Sequence, residues 1–436
     1  MSSLAVALVF GLLPCVTATE RFAVSAVTGS AFSNAVLDAY DRRLTMLPGQ
    51  VSVVTGSAQA AADLVLAEPR TSLILPALPG AVEFANELLS RAGGLAKALN
   101  SSQLKQTGVD RAVVLVSVRS WEQEGAIVVP KLAEYRSKGY SAVVFGSSAG
   151  RPADAVCDYL VDNGAPGPEA VYGQVNIIVN VTLGWIWCCE YAAALSRQGK
   201  YPGILKSIAL QGARENNARL QSVDGRRWLG DTTNAVPAGK LANIYLKRAG
   251  SLAADMRSPR IRKALSSAAD IVAARIRDGR TVQISGIGHI VNYEILRHDL
   301  KMPSTICRYD KLGAGLKQGD LAVWFGYMGN VGLIKTGSVN RLSVLQKAGV
   351  DVIFCEAPIP DAGNTPPEVL AQVLSDKIVS APSLSSVIAT VAQCWSMPDA
   401  EVEVPWPPGQ MAPVSGINAL LLLRTLDEQV AVRLKN

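Results

Sequence analysis

The stretch Gly279–Asp299, GRTVQISGIGHIVNYEILRHD, decides the fold. Thr281–Ile284 is typical of a short buried strand, and Ser285-Gly-Ile-Gly-His289 is typical of a tight turn. Apolar residues then recur at helical spacing through residues 290–298. A strand, a glycine turn and a helix begin a parallel α/β unit. Unpaired N–H groups at the start of such a helix can hold an anion such as phosphate.

Length and composition indicate a folded chain. Its 436 residues are enough for two or three domains, and the 49% of apolar and 18% of charged residues exclude disorder for the bulk. The net charge is +6, and the sequence contains no run of five basic residues, so we expect no nucleic-acid binding. Seven cysteines without a CxxC pair and only two histidines predict buried free thiols and no metal site.

The N-terminus permits two interpretations. The apolar run Leu4–Val16, followed by small residues, resembles the hydrophobic region of a secretory signal peptide. Residues 1–19 would then be cleaved, and the protein would be extracytoplasmic. The residues MSS before the run carry no Lys or Arg, which favours a first core element and a cytoplasmic protein. We predict no membrane span, because two asparagines and a glutamate interrupt the apolar stretch Val175–Leu195.

The two halves of the chain repeat one pattern. Predicted strands begin at residues 73, 113 and 142 and again at 281, 321 and 351, with offsets of 208, 208 and 209. The repeat predicts two flavodoxin-like, doubly wound α/β domains with parallel sheets, over residues 20–213 and 240–436, joined by a linker over 214–239. Ligands of such sheets bind at the carboxyl ends of strands, near the point where the strand order reverses.

Four segments carry a family resemblance. They are SGIGHIVNYE (285–294), LAVWFGYMGNVG (321–332), KAGVDVIF (347–354) and the two closing helices, which begin near residues 176 and 415. From about residue 30 to its end, the sequence resembles tandem domains of the sugar isomerase (SIS) family of phosphosugar-binding proteins.

This resemblance implies a protein that binds a sugar phosphate or another carbohydrate derivative, and a phosphosugar aldose–ketose isomerase if the site is active. We also expect a homo-oligomer. Family phosphate loops are rich in Ser and Thr, whereas Gly326-Tyr-Met-Gly329 has no hydroxyl at the family positions. The alternative is therefore a non-catalytic sensor of sugar phosphates or a structural relative.

Three residues are candidates for acid–base chemistry. His289, at the turn into a helix, could act as a histidine does in the family's isomerases, or it could cap its own helix. Glu122 is a candidate enolisation base. Glu190 lies in an apolar helix, where burial would raise its pKa, or where it could pair with an Arg or Lys at an interface.

The predicted phosphate-binding residues lie where strands end. Hydroxyl and backbone N–H groups there bind phosphate, although serines in loops also form ordinary turns. The first copy contributes Ser117, Arg119, Ser120, Ser147 and Ser148, and the second contributes Ser285, Gly286, Gly288, Gly326 and Gly329. Val291 replaces the third glycine of a dinucleotide motif, so we predict no cofactor.

Overall fold

A computed structural model gives the architecture. It describes residues 32–68, 70–76, 78, 81–89, 91–100, 111–165, 170–207, 212–222, 228–286, 300–307, 313–327, 341–357, 387–394 and 399–435. The predicted signal peptide, residues 1–19, lies outside these ranges.

The first half of the chain alternates helices with parallel strands. Its helices are α1 (Ala35–Leu44), α2 (Val51–Ala67), α3 (Val82–Leu88), α4 (Trp121–Ser137) and α5 (Ala170–Arg197). Its strands are β1 (Ser72–Leu75), β2 (Ala98–Asn100), β3 (Ala112–Ser117), β4 (Ser141–Gly146) and β5 (Tyr159–Asp162). Every neighbouring pair is parallel, and the spatial order is β2-β1-β3-β4-β5. This is the strand order of the predicted flavodoxin-like fold.

Strand β3 shows that this sheet is covered on both faces. Val113 and Leu115 belong to the main hydrophobic core, whereas Val114 and Val116 pack in a second cluster with residues of α4. Successive side chains of a strand point to opposite faces, so a sheet with a core on each side requires apolar residues throughout. The continuous apolar run of β3 follows from this double burial.

A short irregular region connects the halves. Strands β6 (Lys200–Pro202) and β7 (Leu229–Asp231) pair antiparallel, and α6 (Ala213–Gln221) lies between them in the chain. The predicted linker, residues 214–239, therefore contains most of α6 and all of β7. Helices α7 (Lys240–Met256) and α8 (Pro259–Arg277) follow. The domain limits at 213 and 240 stay a prediction.

The second half repeats the sheet. Its strands are β8 (Val282–Gly286), β9 (Thr305–Ile306), β10 (Leu321–Tyr327), β11 (Asp351–Ala357) and β12 (Val387–Ala392), with α9 (Arg341–Lys347) before β11. The antiparallel pair β13 (Val402–Glu403) and β14 (Gln410–Met411) and the closing helix α10 (Ser415–Lys435) complete it. The five-stranded sheet is parallel, in the order β12-β11-β10-β8-β9. Both sheets thus have the order second, first, third, fourth, fifth, which confirms the predicted doubly wound architecture.

One hydrophobic core serves both halves. Helix α5 packs on α1, α2, α3 and α7, and α10 packs on α1 and α8. The segment Val175–Arg197 is long and apolar enough to cross a membrane, and it is buried in this core. Gly184 allows the close approach of α3 to α5, because a Cβ atom there would lie 2.6 Å from the Phe84 ring.

Candidate functional site

The structure gathers the predicted binding residues at two places. We call the first the first-sheet edge; it contains Ser117, Arg119, Ser120, Ser147 and Ser148, which end or follow the neighbouring strands β3 and β4. We call the other the second-sheet edge; it contains Ser285, Gly286 and Gly326 on the neighbouring strands β8 and β10. Each edge lies at the carboxyl ends of its strands, close to where the strand order reverses.

Three serine hydroxyls of the first-sheet edge already have protein partners. Ser117 Oγ accepts a hydrogen bond from Asn180 Nδ2 at 2.9 Å. Ser147 Oγ donates to the carbonyl oxygen of Ala165 at 2.6 Å, and Ser148 Oγ donates to the Asp162 carboxylate. These bonds tie the ends of β3 and β4 to neighbouring segments. A ligand that used these hydroxyls would have to displace bonds of the fold.

A buried polar network lies behind this edge. Arg43 of α1 donates to the carbonyl oxygen of Asn163 and to Asn176 Oδ1, both at 2.9 Å. Asn163 Nδ2 donates to Asn180 Oδ1 at 2.8 Å, and Asn180 then reaches Ser117. All five side chains are buried. The network fixes α5 against the ends of β3 and β5, and buried polar groups that are paired in this way specify one arrangement.

This network was not predicted from the sequence. Its one local sign is the spacing of Asn176 and Asn180, four residues apart on a helix and therefore on one face. Arg43 is more than a hundred residues away in the chain, and arginine is a residue type that is usually exposed.

A carboxylate of the protein itself, that of Glu124, lies at the start of α4. The Glu124 carboxylate accepts hydrogen bonds from the backbone N–H of Arg119 at 2.9 Å and from its Nε at 3.2 Å. Burial raises the pKa of Glu124, and the Arg119 guanidinium opposes that rise. Ser120 is the N-cap residue, and its side chain makes no capping hydrogen bond. Glu122 is exposed in the first turn of α4.

Glu190 lies away from both edges, and its carboxylate caps another helix. Its two oxygens accept hydrogen bonds from the backbone N–H groups of Gly239 at 2.8 Å and Ala242 at 3.0 Å. The hydroxyl of Thr55 donates to it at 3.2 Å. Gly239 precedes α7 and has no side chain with which to cap it. Glu190 thus supplies the negative charge and the acceptors that a helix N-terminus requires.

The second-sheet edge contains polar groups without partners. Ser285 and Trp324 are register partners on β8 and β10, so their side chains share one face of the sheet. Both residues are buried, and neither Ser285 Oγ nor Trp324 Nε1 has a hydrogen-bond partner in the part of the chain that the structure describes. An unpaired buried polar group costs about 1–3 kcal/mol.

Two glycines lie at this edge. Gly286 ends β8 and is the register partner of Phe325. A Cβ atom on Gly326 would lie 2.7 Å from the Phe354 ring, so any larger residue there would have to displace that ring. The carbonyl oxygen of Gly326 accepts a hydrogen bond from Gln393 Nε2 at 2.7 Å, which links β10 to the end of β12.

Some predicted residues lie outside the described ranges. They are Gly288, His289 and Gly329. Within the ranges that the structure does describe, no group of three or more His, Cys, Asp or Glu side chains is placed to hold a metal ion.

Comparisons with known proteins give structural likeness alone. No protein-family model and no curated protein matches the sequence. The chain is similar to tagatose-6-phosphate ketose/aldose isomerase from Escherichia coli, with 10% identity, a TM-score of 0.43, and coverage of 94% of this chain and 95% of that chain. It is also similar to a provisionally assigned enzyme of the same description from Clostridium novyi NT, with 7% identity, a TM-score of 0.45, and coverage of 92% of this chain and 90% of that chain. A third similar structure is a provisionally assigned sugar binding protein from Salmonella typhimurium LT2, with 12% identity, a TM-score of 0.43, and coverage of 91% of this chain and 99% of that chain. The fold described above rests on strand order and register.

Proposed function

We propose that this chain binds a phosphorylated sugar or a related carbohydrate derivative at the second-sheet edge, as a protein of SIS type. The observation that carries the proposal is the pair of buried, unpartnered groups Ser285 Oγ and Trp324 Nε1 beside Gly286. Ser285 is the next-to-last residue of β8, and its register partner Trp324 lies in the middle of β10. The two strands are adjacent and parallel and flank the reversal of strand order, where doubly wound sheets take their ligands at the carboxyl ends.

The chemistry of this edge fits an oxygen-rich ligand. An indole N–H only donates, and a serine hydroxyl both donates and accepts, so phosphate or sugar oxygens satisfy both. Gly286, the last residue of β8, has no side chain that would obstruct an anion. Pairing the two groups on binding would recover part of the cost of leaving them unpaired.

The first-sheet edge fits such a ligand less well. Its hydroxyls are bonded to Asn180, Ala165 and Asp162, and the start of α4 is occupied by the Glu124 carboxylate. Two carboxylates at this edge would repel a phosphate. This arrangement favours the second candidate function, a non-catalytic sensor of sugar phosphates with one binding edge, over an isomerase with two.

Thermal shift with a panel of sugar phosphates tests binding. A ligand at one hundred times its dissociation constant adds about 2.7 kcal/mol to the free energy of unfolding, which is about 3 °C for a unit of this size. We expect Ser285→Ala to reduce the shift and the matched variant Ser147→Ala, at the first-sheet edge, to keep it. A panel in which no sugar phosphate moves the melting temperature would refute the proposal.

Turnover is tested separately from binding. For an aldose–ketose isomerase, solvent deuterium enters the sugar at C2, because the mechanism transfers a proton between adjacent carbons. If the wild-type protein exchanges the proton, we propose His289 as the acid–base group, and His289→Ala should abolish the exchange while binding persists. Glu122→Gln tests the other candidate base. Binding without exchange in the wild-type protein would establish the sensor.

A further inference from the structure

A buried cluster of charges joins the first half of the chain to the last helix. Glu87 of α3 contacts Arg91 through Oε2 and Nη1 at 2.9 Å. Arg91 Nη2 contacts Asp399 Oδ2 at 3.1 Å, and the hydroxyl of Ser415, the first residue of α10, donates to the same carboxylate at 2.5 Å. We call these four residues the Glu87 cluster. They connect segments about three hundred residues apart in the chain.

The cluster is tightly enclosed and carries more acid than base. Glu87 is fully buried, and Asp399 and Arg91 are buried as well. One guanidinium contacts two carboxylates. A Cβ atom on Gly416 would lie 2.3 Å from Glu87 Oε1, so the carboxyl group touches the backbone of α10. Two unprotonated carboxylates at such a place are expensive to bury.

We propose that the Glu87 cluster is a proton-operated latch. With a proton on Glu87, the cluster is neutral overall and holds α3 against the start of α10. Loss of that proton leaves a buried net negative charge and loosens the start of α10. This inference is independent of the proposed sugar-phosphate binding.

The surroundings of Glu87 agree with this arrangement. Burial raises its pKa to about 7, the Arg91 guanidinium opposes the rise, and the Asp399 carboxylate adds to it. The other titratable groups nearby are Glu83, one turn earlier on α3, and Glu401, which raises the pKa of Asp399. Tyr245 of α7 is the third, and its hydroxyl donates to the carbonyl oxygen of Pro413 at 2.7 Å. Burial raises the pKa of Tyr245, which keeps it neutral throughout this pH range.

The direction of the effect follows from linkage. An unfolded glutamate has its ordinary pKa of 4.5, whereas Glu87 in the folded chain titrates near 7. The folded state therefore binds the proton more tightly. The latch is at full strength below about pH 4.5 and is lost as the pH rises through about 7.

The start of α10 also supports the second-sheet edge. Asn418 Oδ1 accepts a hydrogen bond from the backbone N–H of Cys394 at 3.0 Å, directly after β12. The preceding residue, Gln393, donates to the carbonyl oxygens of Gly326 at 2.7 Å and Cys355 at 2.9 Å. Opening of the latch would therefore reach the ends of β10 and β11.

Hydrogen–deuterium exchange tests the latch through two reporters. The backbone N–H groups of Val414 and Ser415 donate to Asp399 Oδ1 at 3.3 and 3.0 Å, so their protection reports the cluster. After correction for the intrinsic pH dependence of exchange, we expect protection to fall about 30-fold between about pH 5.5 and about pH 8. Glu87→Gln should abolish this fall, and the control Glu215→Gln, on an exposed position of α6, should retain it. Constant protection in the wild-type protein would overturn the proposal.

A second measurement needs no variant of the cluster. A carboxyl ¹³C titration of Glu87 in the wild-type protein should show a midpoint near pH 7. A midpoint near the ordinary glutamate value would overturn the proposal even if Glu87→Gln did not fold.

Discussion

Replacing Glu190 separates a structural role from a catalytic one. The structure makes its carboxylate the cap of α7, which begins the second half of the fold. We expect Glu190→Ala to destabilise the protein strongly and without any dependence on ligand. A residue that served only catalysis would show the opposite pattern, because active-site groups are often removed with little loss of stability.

The expected loss of stability follows from the three hydrogen bonds that the Glu190 carboxylate accepts. Glu190→Ala leaves the buried N–H groups of Gly239 and Ala242 without acceptors, at about 1–3 kcal/mol each, and removes the bond from Thr55. We expect a loss of about 4 kcal/mol. Glu190→Gln keeps the shape and one acceptor oxygen but turns an amide NH₂ toward one backbone donor, so we expect about 2 kcal/mol. Thr55→Ala should cost about 1 kcal/mol.

Urea denaturation followed by tryptophan fluorescence is the assay. Trp185 and Trp187 are buried on the same helix as Glu190, so their emission reports the unfolding of this core. Hydrogen–deuterium exchange at the backbone amides of residues 239–242 should become faster in Glu190→Ala and in Glu190→Gln. Losses below about 0.5 kcal/mol for Glu190→Ala, the size expected of an unimportant surface position, would refute the capping argument.

Three further predictions concern polar groups. Ser285→Ala should leave the free energy of unfolding unchanged or raise it, because an unpaired hydroxyl is removed, whereas Ser147→Ala should lower it by about 1 kcal/mol; urea titration compares them. Asn180→Ala should cost about 3 kcal/mol, since it leaves buried partners unpaired, and near-zero loss in the same titration would contradict the network. Between about pH 4.5 and a pH above about 7, the free energy of unfolding of the wild-type protein should fall by about 3 kcal/mol more than that of Glu87→Gln. The reason is that the Glu87 pKa rises from 4.5 to about 7 on folding. Thermal melts at several pH values measure this, and an equal dependence of melting temperature on pH in the two proteins would contradict it.

Sequence reasoning found the central strands and missed the outer ones. Strands β1, β3 and β4 and their counterparts β8, β10 and β11 are apolar runs buried on both faces, which gives a clear pattern. The outer strands β2, β5, β9 and β12 were not predicted. They are short or partly exposed, and β9 has only two residues.

Local preference was overridden in one helix. The β-branched run Val51–Thr55 begins α2 in the structure. Helix α2 packs on α5, and its buried residues, Val54, Ala58 and Ala61 among them, recur at helical spacing. Packing against a neighbouring helix outweighs a weak strand preference of this kind.

The predicted fold gave the positions of the two sheet edges, but it did not give the hydrogen-bond partners of the side chains there. Strand ends place Ser117 and Ser147 near each other in any parallel sheet. Their partners come from distant segments, such as Asn180 on α5, and no local pattern identifies them. Glu87 and Arg91 likewise have the spacing of an exposed ion pair on a helix, and only tertiary packing shows that they are buried.

A crystal structure of the protein with the sugar phosphate that gives the largest thermal shift is the most direct test of the central claim. The account predicts ligand density against Ser285, Gly286 and Gly326, with Ser285 Oγ within hydrogen-bond distance of a ligand oxygen. Density at Ser148 and Asp162 instead, or an empty second-sheet edge in crystals grown far above the dissociation constant, would contradict it.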